Sequence, residues 1–128
     1  MSDKDNRLIG IDIVDIDRLR KAVARTPRLL HRVFTDREID YCFAKKDPFP
    51  SLAARFAARE ALRKLDQVFI VGIRFHDTEV VVDSEGRPGW ALHGNALEKS
   101  RAAGISQIEL SLSHSREQAV AVVIAKKG

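Results

Sequence analysis

A single cysteine, one tryptophan, one tyrosine and four prolines are spread over 128 residues, and each scarcity removes a class of explanation. Cys42 alone can close neither an internal disulfide nor a cysteine-ligated metal site, so the chain suits a reducing compartment and Cys42 reads as a packed thiol. The longest apolar stretch, Ala119 to Ala125, has seven residues, far short of the roughly 20 needed to cross a bilayer. Nothing after the polar start, Met1 to Arg7, resembles the apolar core of a secretion signal. A cytoplasmic protein with no membrane contact is therefore expected. No glycine-rich phosphate loop, serine-nucleophile elbow or zinc-ligand spacing occurs. With one Tyr and one Trp, and no aromatics interleaved on a sheet face, a nucleic-acid-binding domain would lack its stacking platform.

Hydrophobic residues make up 45% of the chain and charged residues 31%, the usage of a folded globular protein. The length allows one domain, residues 1–128, with a modest core. The net charge of +4 and a pI near 9.5 favour an acidic partner: a nucleic acid, a phosphorylated small molecule or an acidic protein.

Ile9, Ile11 and Ile13 alternate with Gly10 and Asp12, which predicts a strand with one apolar face and Asp12 on the other. Gly10 then leaves space beside Asp12. Asp15 is placed to cap a helix whose apolar stripe is Ile16, Leu19 and Val23, with Arg18, Lys21 and Arg25 repeating on another face. Thr26-Pro27 ends that helix and opens the next, with Thr26 as its cap. Thr35 and Glu38 form a capping box for a helix to about Lys45. Ser51 is placed to cap the longest helix, about Leu52 to Leu65, on which Phe56, Glu60 and Lys64 share a face. Val68 to Phe75, Thr78 to Val82 and the segment near Trp90 to Leu92 are strand candidates, the last after a turn at Asp83 to Gly86. Asn95 to Ala103 reads as a helix, and Gln107 to Ser113 and Ala119 to Ala125 as a hairpin. The sum is an α+β domain: three or four helices with an antiparallel sheet of three to five strands.

Two acids stand out. Asp12 lies among isoleucines and Glu60 in Arg55-Phe56-Ala57-Ala58-Arg59-Glu60-Ala61. An ionised carboxylate in apolar surroundings is costly unless a positive group meets it, and two carboxylates suit Mg²⁺, which keeps its other positions for water and phosphate. Singly each signal has a plainer explanation. Asp12 could cap a helix or pair with an arginine, Glu60 could pair with Lys64, His114 could be a structural hydrogen-bonding residue, and the basic helix could be a solvated face.

In order and together, these segments resemble the bacterial holo-(acyl carrier protein) synthases, the small 4′-phosphopantetheinyl transferases. Gly10-Ile11-Asp12-Ile13 with Arg18 is similar to the family's opening motif. Arg55 to Ala61 with Lys64 is similar to its second motif, and Leu110-Ser111-Leu112-Ser113-His114 with Ala119-Val120-Ala121-Val122 to its closing hairpin. Arg32-Val33-Phe34-Thr35-Asp36-Arg37-Glu38 fits the segment between the first two. The resemblance implies transfer of the phosphopantetheine arm of coenzyme A to a serine of apo-acyl carrier protein, releasing adenosine 3′,5′-bisphosphate. By motif, Asp12 and Glu60 would hold Mg²⁺, with Glu60, Lys64 and Asp12 as the catalytic set. Arg55, Lys64 and His114 would contact coenzyme A. Arg18, Arg25 and Arg28 match basic positions of the family's carrier-docking helix, which Lys21 joins by spacing, and the acidic carrier would meet that charge. A homotrimer with sites between subunits is implied as well.

Two departures qualify the match. Arg59 stands where the family has lysine, which keeps charge and changes hydrogen-bond geometry. Asp66-Gln67-Val68-Phe69 stands where the family has a Gly-Thr-Gly loop near coenzyme A, so backbone approach to phosphate is restricted and Asp66 adds negative charge. A carrier-binding module of the same fold with little or no transferase activity is the alternative that this loss raises.

Overall fold

Local capping decides where the first elements meet. Strand β1 (Arg7–Asp15) passes directly into helix α1 (Ile16–Arg25), because Asp15 Oδ1 accepts hydrogen bonds from the backbone N–H of Asp17 and Arg18 at 3.1 and 3.4 Å. The short α2 (Leu29–Val33) follows, then α3 (Asp36–Phe43), which starts in the Thr35–Glu38 capping box read from the sequence. Beyond α3 come α4 (Phe49–Arg63), β2 (Thr78–Val82), β3 (Pro88–Leu92), α5 (Gly94–Ala102), β4 (Ile105–His114) and β5 (Gln118–Lys127). The computed structural model describes residues 6–128. No helix among the described residues is long and apolar enough to cross a membrane.

The fold is α+β. An antiparallel sheet in the order β1-β5-β4 packs against α4, and β2 and β3 form a separate hairpin. Among the described residues, five α-helices replace the three or four expected, and the main sheet has three strands. Ala57, Ala58, Ala61 and Leu62 of α4 are fully buried against Ala121 and Val123 of β5. A second cluster joins Ile16, Phe34, Leu52 and Ala53 beneath α1 and α3.

Four local expectations change. Val68 to Phe75 is not a strand. Asp66 Oδ1 accepts from Val68 N–H at 3.1 Å, Phe69 N–H donates to Asp66 O at 3.2 Å and Ile70 N–H to Gln67 O at 3.0 Å, so the donors of a strand ladder are consumed in a 3₁₀ turn, Gln67–Phe69. Thr26 is the C-cap of α1, its N–H donating to Ala22 O at 2.9 Å, and α2 begins only at Leu29 with no side-chain cap. Helix α4 starts two residues before Ser51, because Asp47 Oδ1 accepts from Phe49 N–H at 3.1 Å. The fourth concerns β1, whose isoleucine face points outward. Ile9, Ile11 and Ile13 are 69%, 57% and 57% exposed. The Gly10 and Asp12 face is the one that meets α4. Space beside Asp12 is filled by the helix backbone, since a Cβ at Gly10 would overlap the Ala61 carbonyl oxygen.

Candidate functional site

Close approach of β1 and α4 assembles the site. With no side chain at Gly10, the Ala61 turn settles onto the strand, and the Lys64 stem passes beside it, 3.5 Å from where a Cβ would stand. Lys64 Nζ therefore reaches the strand, donating to Ile11 O and Asp12 Oδ1, both at 3.0 Å. Asp12 and Glu60 line one cavity of about 650 Å³, together with Arg18 and Leu19 of α1, Arg32 of α2 and Phe56 of α4. Both acids are partly accessible, with side chains 19% and 29% exposed.

The ion pairs differ from those that helical spacing suggests. Glu60 Oε1 is 3.5 Å from Arg63 Nη1, three residues on, whereas Lys64 serves Asp12. Each acid thus faces one long, flexible cation that a phosphate could draw away. Among the described residues no group of three or more histidine, cysteine or carboxylate side chains is placed to hold a metal ion. Two carboxylates with room for water match the needs of Mg²⁺, which typically takes one or two protein carboxylates.

Arg18 lines this cavity, and Arg25 and Arg28 are exposed beyond it. Lys21 is engaged with Asp17 at 3.0 Å. Sequence reasoning singled out neither Arg20 nor Arg32. Arg20 makes a two-point contact to Asp47 at 2.9 and 3.1 Å and lies over the Phe49 ring, pinning α1 to the start of α4. Arg32 is exposed and joins the cavity wall from α2; its signal was its place just ahead of the Thr35 capping box.

Two expected contacts lie apart from the acid pair. Arg55 is buried, its guanidinium 4.6 Å from the Tyr41 ring centroid and its Nη1 donating to Ser51 O at 3.3 Å, while its Nε has no partner. His114 stands exposed at the end of β4, with β5 between it and β1. Within one chain neither reaches the cavity shared by Asp12 and Glu60.

Both departures from the family pattern turn out to be structural. Arg59 is 2% exposed, pairs with Glu38 and donates through Nε to Phe75 O at 3.2 Å. Burial pulls its guanidinium below the ordinary value, and Glu38 opposes that. Glu38 also accepts from Thr35 N–H and Val80 N–H, each at 3.0 Å, so Arg59 fastens α4 to α3 and β2. Asp66 binds Lys127 Nζ at 2.7 Å, which together with the Val68 amide holds its carboxyl below the usual range. Its charge is met by Lys127.

A further buried acid, Glu79, escaped sequence reading. It accepts from Arg37 at 2.8 and 3.2 Å and from Thr35 Oγ1 at 2.6 Å, and it lies 2.9 Å from His93 Nε2. Arg37 is the largest cause of its fall from 4.5 to about 2.

Residues 8–123 match the model of the 4′-phosphopantetheinyl transferase superfamily. Among curated relatives, the holo-[acyl-carrier-protein] synthase of Moorella thermoacetica is 43% identical over 117 residues, 91% of each chain. That of Syntrophus aciditrophicus is 47% identical over 117 residues, 90% of this chain and 91% of the relative. Among solved structures, a Chronobacterium ammoniagenes ACPS–CoA complex superposes with a TM-score of 0.83 at 26% identity, covering 95% of this chain and 98% of the other. Helicobacter pylori holo-[acyl-carrier-protein] synthase in complex with coenzyme A gives 0.77 at 31% identity, covering 93% and 100%. With the Asp12–Glu60–Lys64 arrangement standing on this fold, the chain belongs to the 4′-phosphopantetheinyl transferase superfamily.

Proposed function

We propose that the protein is a holo-[acyl-carrier-protein] synthase, moving 4′-phosphopantetheine from coenzyme A to a serine of apo-acyl carrier protein in the cytoplasm. The observation that carries this reading is the pair Asp12 and Glu60 in one cavity, with Lys64 bound to Asp12. In the reaction the serine oxygen attacks the phosphorus bearing the pantetheine arm, and the bond from that phosphorus to the bridging oxygen breaks. Adenosine 3′,5′-bisphosphate leaves. Mg²⁺, when held by Asp12 and Glu60, would neutralise charge on the diphosphate. Glu60 is the group to accept the serine proton, since it lies in the cavity and is only partly exposed. Lys64 can turn its ammonium from Asp12 toward a phosphate oxygen or the departing charge.

Carrier docking falls to Arg18, Arg25 and Arg28, with Lys21 weakened by Asp17, along the helix that borders the cavity. Positive charge there speeds encounter with an acidic carrier and loses effect in salt. A homotrimer is part of the proposal. The outward face of the main sheet presents Ile9, Ile11 and Ile13 beside Ile124, an apolar surface that suits contact between copies. A neighbouring copy would bring His114 to the nucleotide, whereas Arg55, buried with its Nε unpartnered, would have to be uncovered to reach it.

The test is transfer in vitro with coenzyme A, Mg²⁺ and apo-carrier, read as a mass increase of the carrier. Asp12→Ala and Glu60→Ala should each slow transfer at least about a hundredfold with the melting temperature unchanged. Wild-type turnover in either variant at saturating Mg²⁺ removes the acid-pair reading. Carrier binding by a wild-type chain that transfers nothing would leave a docking module in its place.

A further inference from the structure

Glu60 borders two cavities. Besides the one shared with Asp12, a smaller cavity of about 240 Å³ lies on its other side, between α4 and the segment leading to β2. From α4 it receives Glu60 and Arg63, and from the segment Ile73, Arg74 and Phe75. Both arginines are accessible, Arg63 at 49% and Arg74 at 84% side-chain exposure. Their ion pairs are long: 3.5 Å from Arg63 to Glu60 and 3.9 Å from Arg74 to Asp77.

The 3₁₀ turn after Lys64 spends its amides on itself. The N–H groups of Val68, Phe69 and Ile70 donate to Asp66 Oδ1, Asp66 O and Gln67 O. The turn is also fastened from outside. Asp66 is tied to Lys127, Lys99 Nζ donates to Val71 O at 2.6 Å, and Asn95 Nδ2 to Gly72 O at 3.0 Å. With these three amides spent, a phosphate beside the 3₁₀ turn is met chiefly by side chains. Arg59, the other arginine at this cavity's edge, is 2% exposed and gives Nη2 to Glu38 and Nε to Phe75 O, leaving only a buried Nη1 without a partner.

We infer that Arg63 and Arg74 form an anion clamp for the diphosphate of coenzyme A, replacing the backbone contacts that a glycine loop would give. This rests on the transferase reading and concerns how this chain holds its nucleotide. Guanidinium groups match phosphate oxygens in two-point geometry. Arg63 stands on the same helix as Glu60, so its anion lies next to the acid pair. The diphosphate is the phosphate that has to be there, because the bond that breaks is in it.

The experiment measures coenzyme A binding by calorimetry and the transfer kinetics of Arg63→Gln and Arg74→Gln, with coenzyme A and with 3′-dephospho-coenzyme A. Each substitution should weaken binding and raise KM for both nucleotides about tenfold, with KM for the carrier and the melting temperature unchanged. Arg63→Lys should recover part of the loss. Grafting Gly-Thr-Gly over Asp66, Gln67 and Val68 in the Arg63→Gln background should recover affinity by restoring amides. If Arg63 served only as the ion partner of Glu60, kcat would move and nucleotide affinity would not. Unchanged affinity in both folded variants, or a loss confined to the nucleotide carrying the 3′-phosphate, overturns the clamp. A wild-type chain that binds coenzyme A through these arginines yet transfers nothing would refute the transferase reading and leave the clamp standing.

Discussion

The two faces of the three-stranded sheet follow opposite rules. The inner face is built from small residues where α4 crosses it: Gly10 on β1 and Ala119, Ala121 and Ala125 on β5, all buried. The outer face carries Ile9 opposite Ile124, Ile11 opposite Val122 and Ile13 opposite Val120, with Ile9, Ile11, Ile13 and Ile124 substantially exposed. Large aliphatic side chains would hold a helix away from the strand; small ones let its backbone come down to it. The proposed chemistry depends on that approach, because it is what lets Lys64 touch Asp12. The outer face contributes nothing to the packing of its own chain, and its bulk is what a second copy would cover.

The inner face can be broken by one methyl group. Gly10→Ala places Cβ onto the Ala61 carbonyl oxygen and 3.0 Å from its carbon, and both are backbone atoms that no rotamer change can move. The strand and α4 must separate, at a cost of about 3 kcal/mol, and Lys64 is withdrawn from Asp12. Urea unfolding should show the loss, accompanied by a fall in transfer. An unchanged midpoint would mean that the contact yields without cost.

The outer face answers to a different change. Ile11→Lys should leave the unfolding midpoint close to that of wild type, since the side chain is 57% exposed. Sedimentation should then show dissociation, with the constant between copies raised roughly tenfold or more by a charge within the interface. Transfer should fall with assembly. An Ile11→Lys chain that still assembles and turns over normally would assign the isoleucines to solvent.

Legibility in the sequence follows the range of the interaction. The capping box at Thr35, the Asp15 cap and the β4–β5 hairpin were readable because residues a few positions apart decide them. Asp12 and Glu60 were readable as unusual acids, and their placement in one cavity agrees with that reading. The alternation in β1 announced an apolar face, but periodicity does not say whether that face meets a helix or another molecule. Gly10 held the information, because a strand glycine flanked by isoleucines marks a close backbone approach. Lys64 was read on the face of Glu60 but reaches across to β1, a tertiary contact that helical spacing does not encode. Val68 to Phe75 was misread as a strand because its apolar composition was weighed above Asp66, whose carboxylate claims the Val68 amide. The charged junction around Glu79 joins residues from three segments and had no local signature.

That junction sharpens the comparison, because it fixes the far side of α3 and β2 with ions, whereas α4 and the inner face meet largely through alanine, with Lys64 and Asp12 as their ion pair. Glu79 drops from 4.5 to about 2, with Arg37 as the main cause, burial opposing, and Thr35 and His93 assisting. A carboxyl depressed by folding adds stability above its unfolded value and loses it as pH falls through its folded value. Here the window runs from about 4.5 down to about 2. The full shift corresponds to about 3 kcal/mol, and solvent screening around the exposed Arg37 cuts this to roughly 1 kcal/mol. Wild type and Glu79→Gln should therefore differ in urea midpoint at pH 7 and converge as the pH approaches 2.5. Gly10→Ala should keep most of its offset from wild type across the same range, since the clash itself is between uncharged backbone and Cβ atoms. Parallel curves for Glu79→Gln and wild type would show that the Glu79 ion contributes nothing to holding β2 against α3. Steric contact to the sheet and the buried Arg59–Glu38 pair would then be left to set how α4 presents its acid.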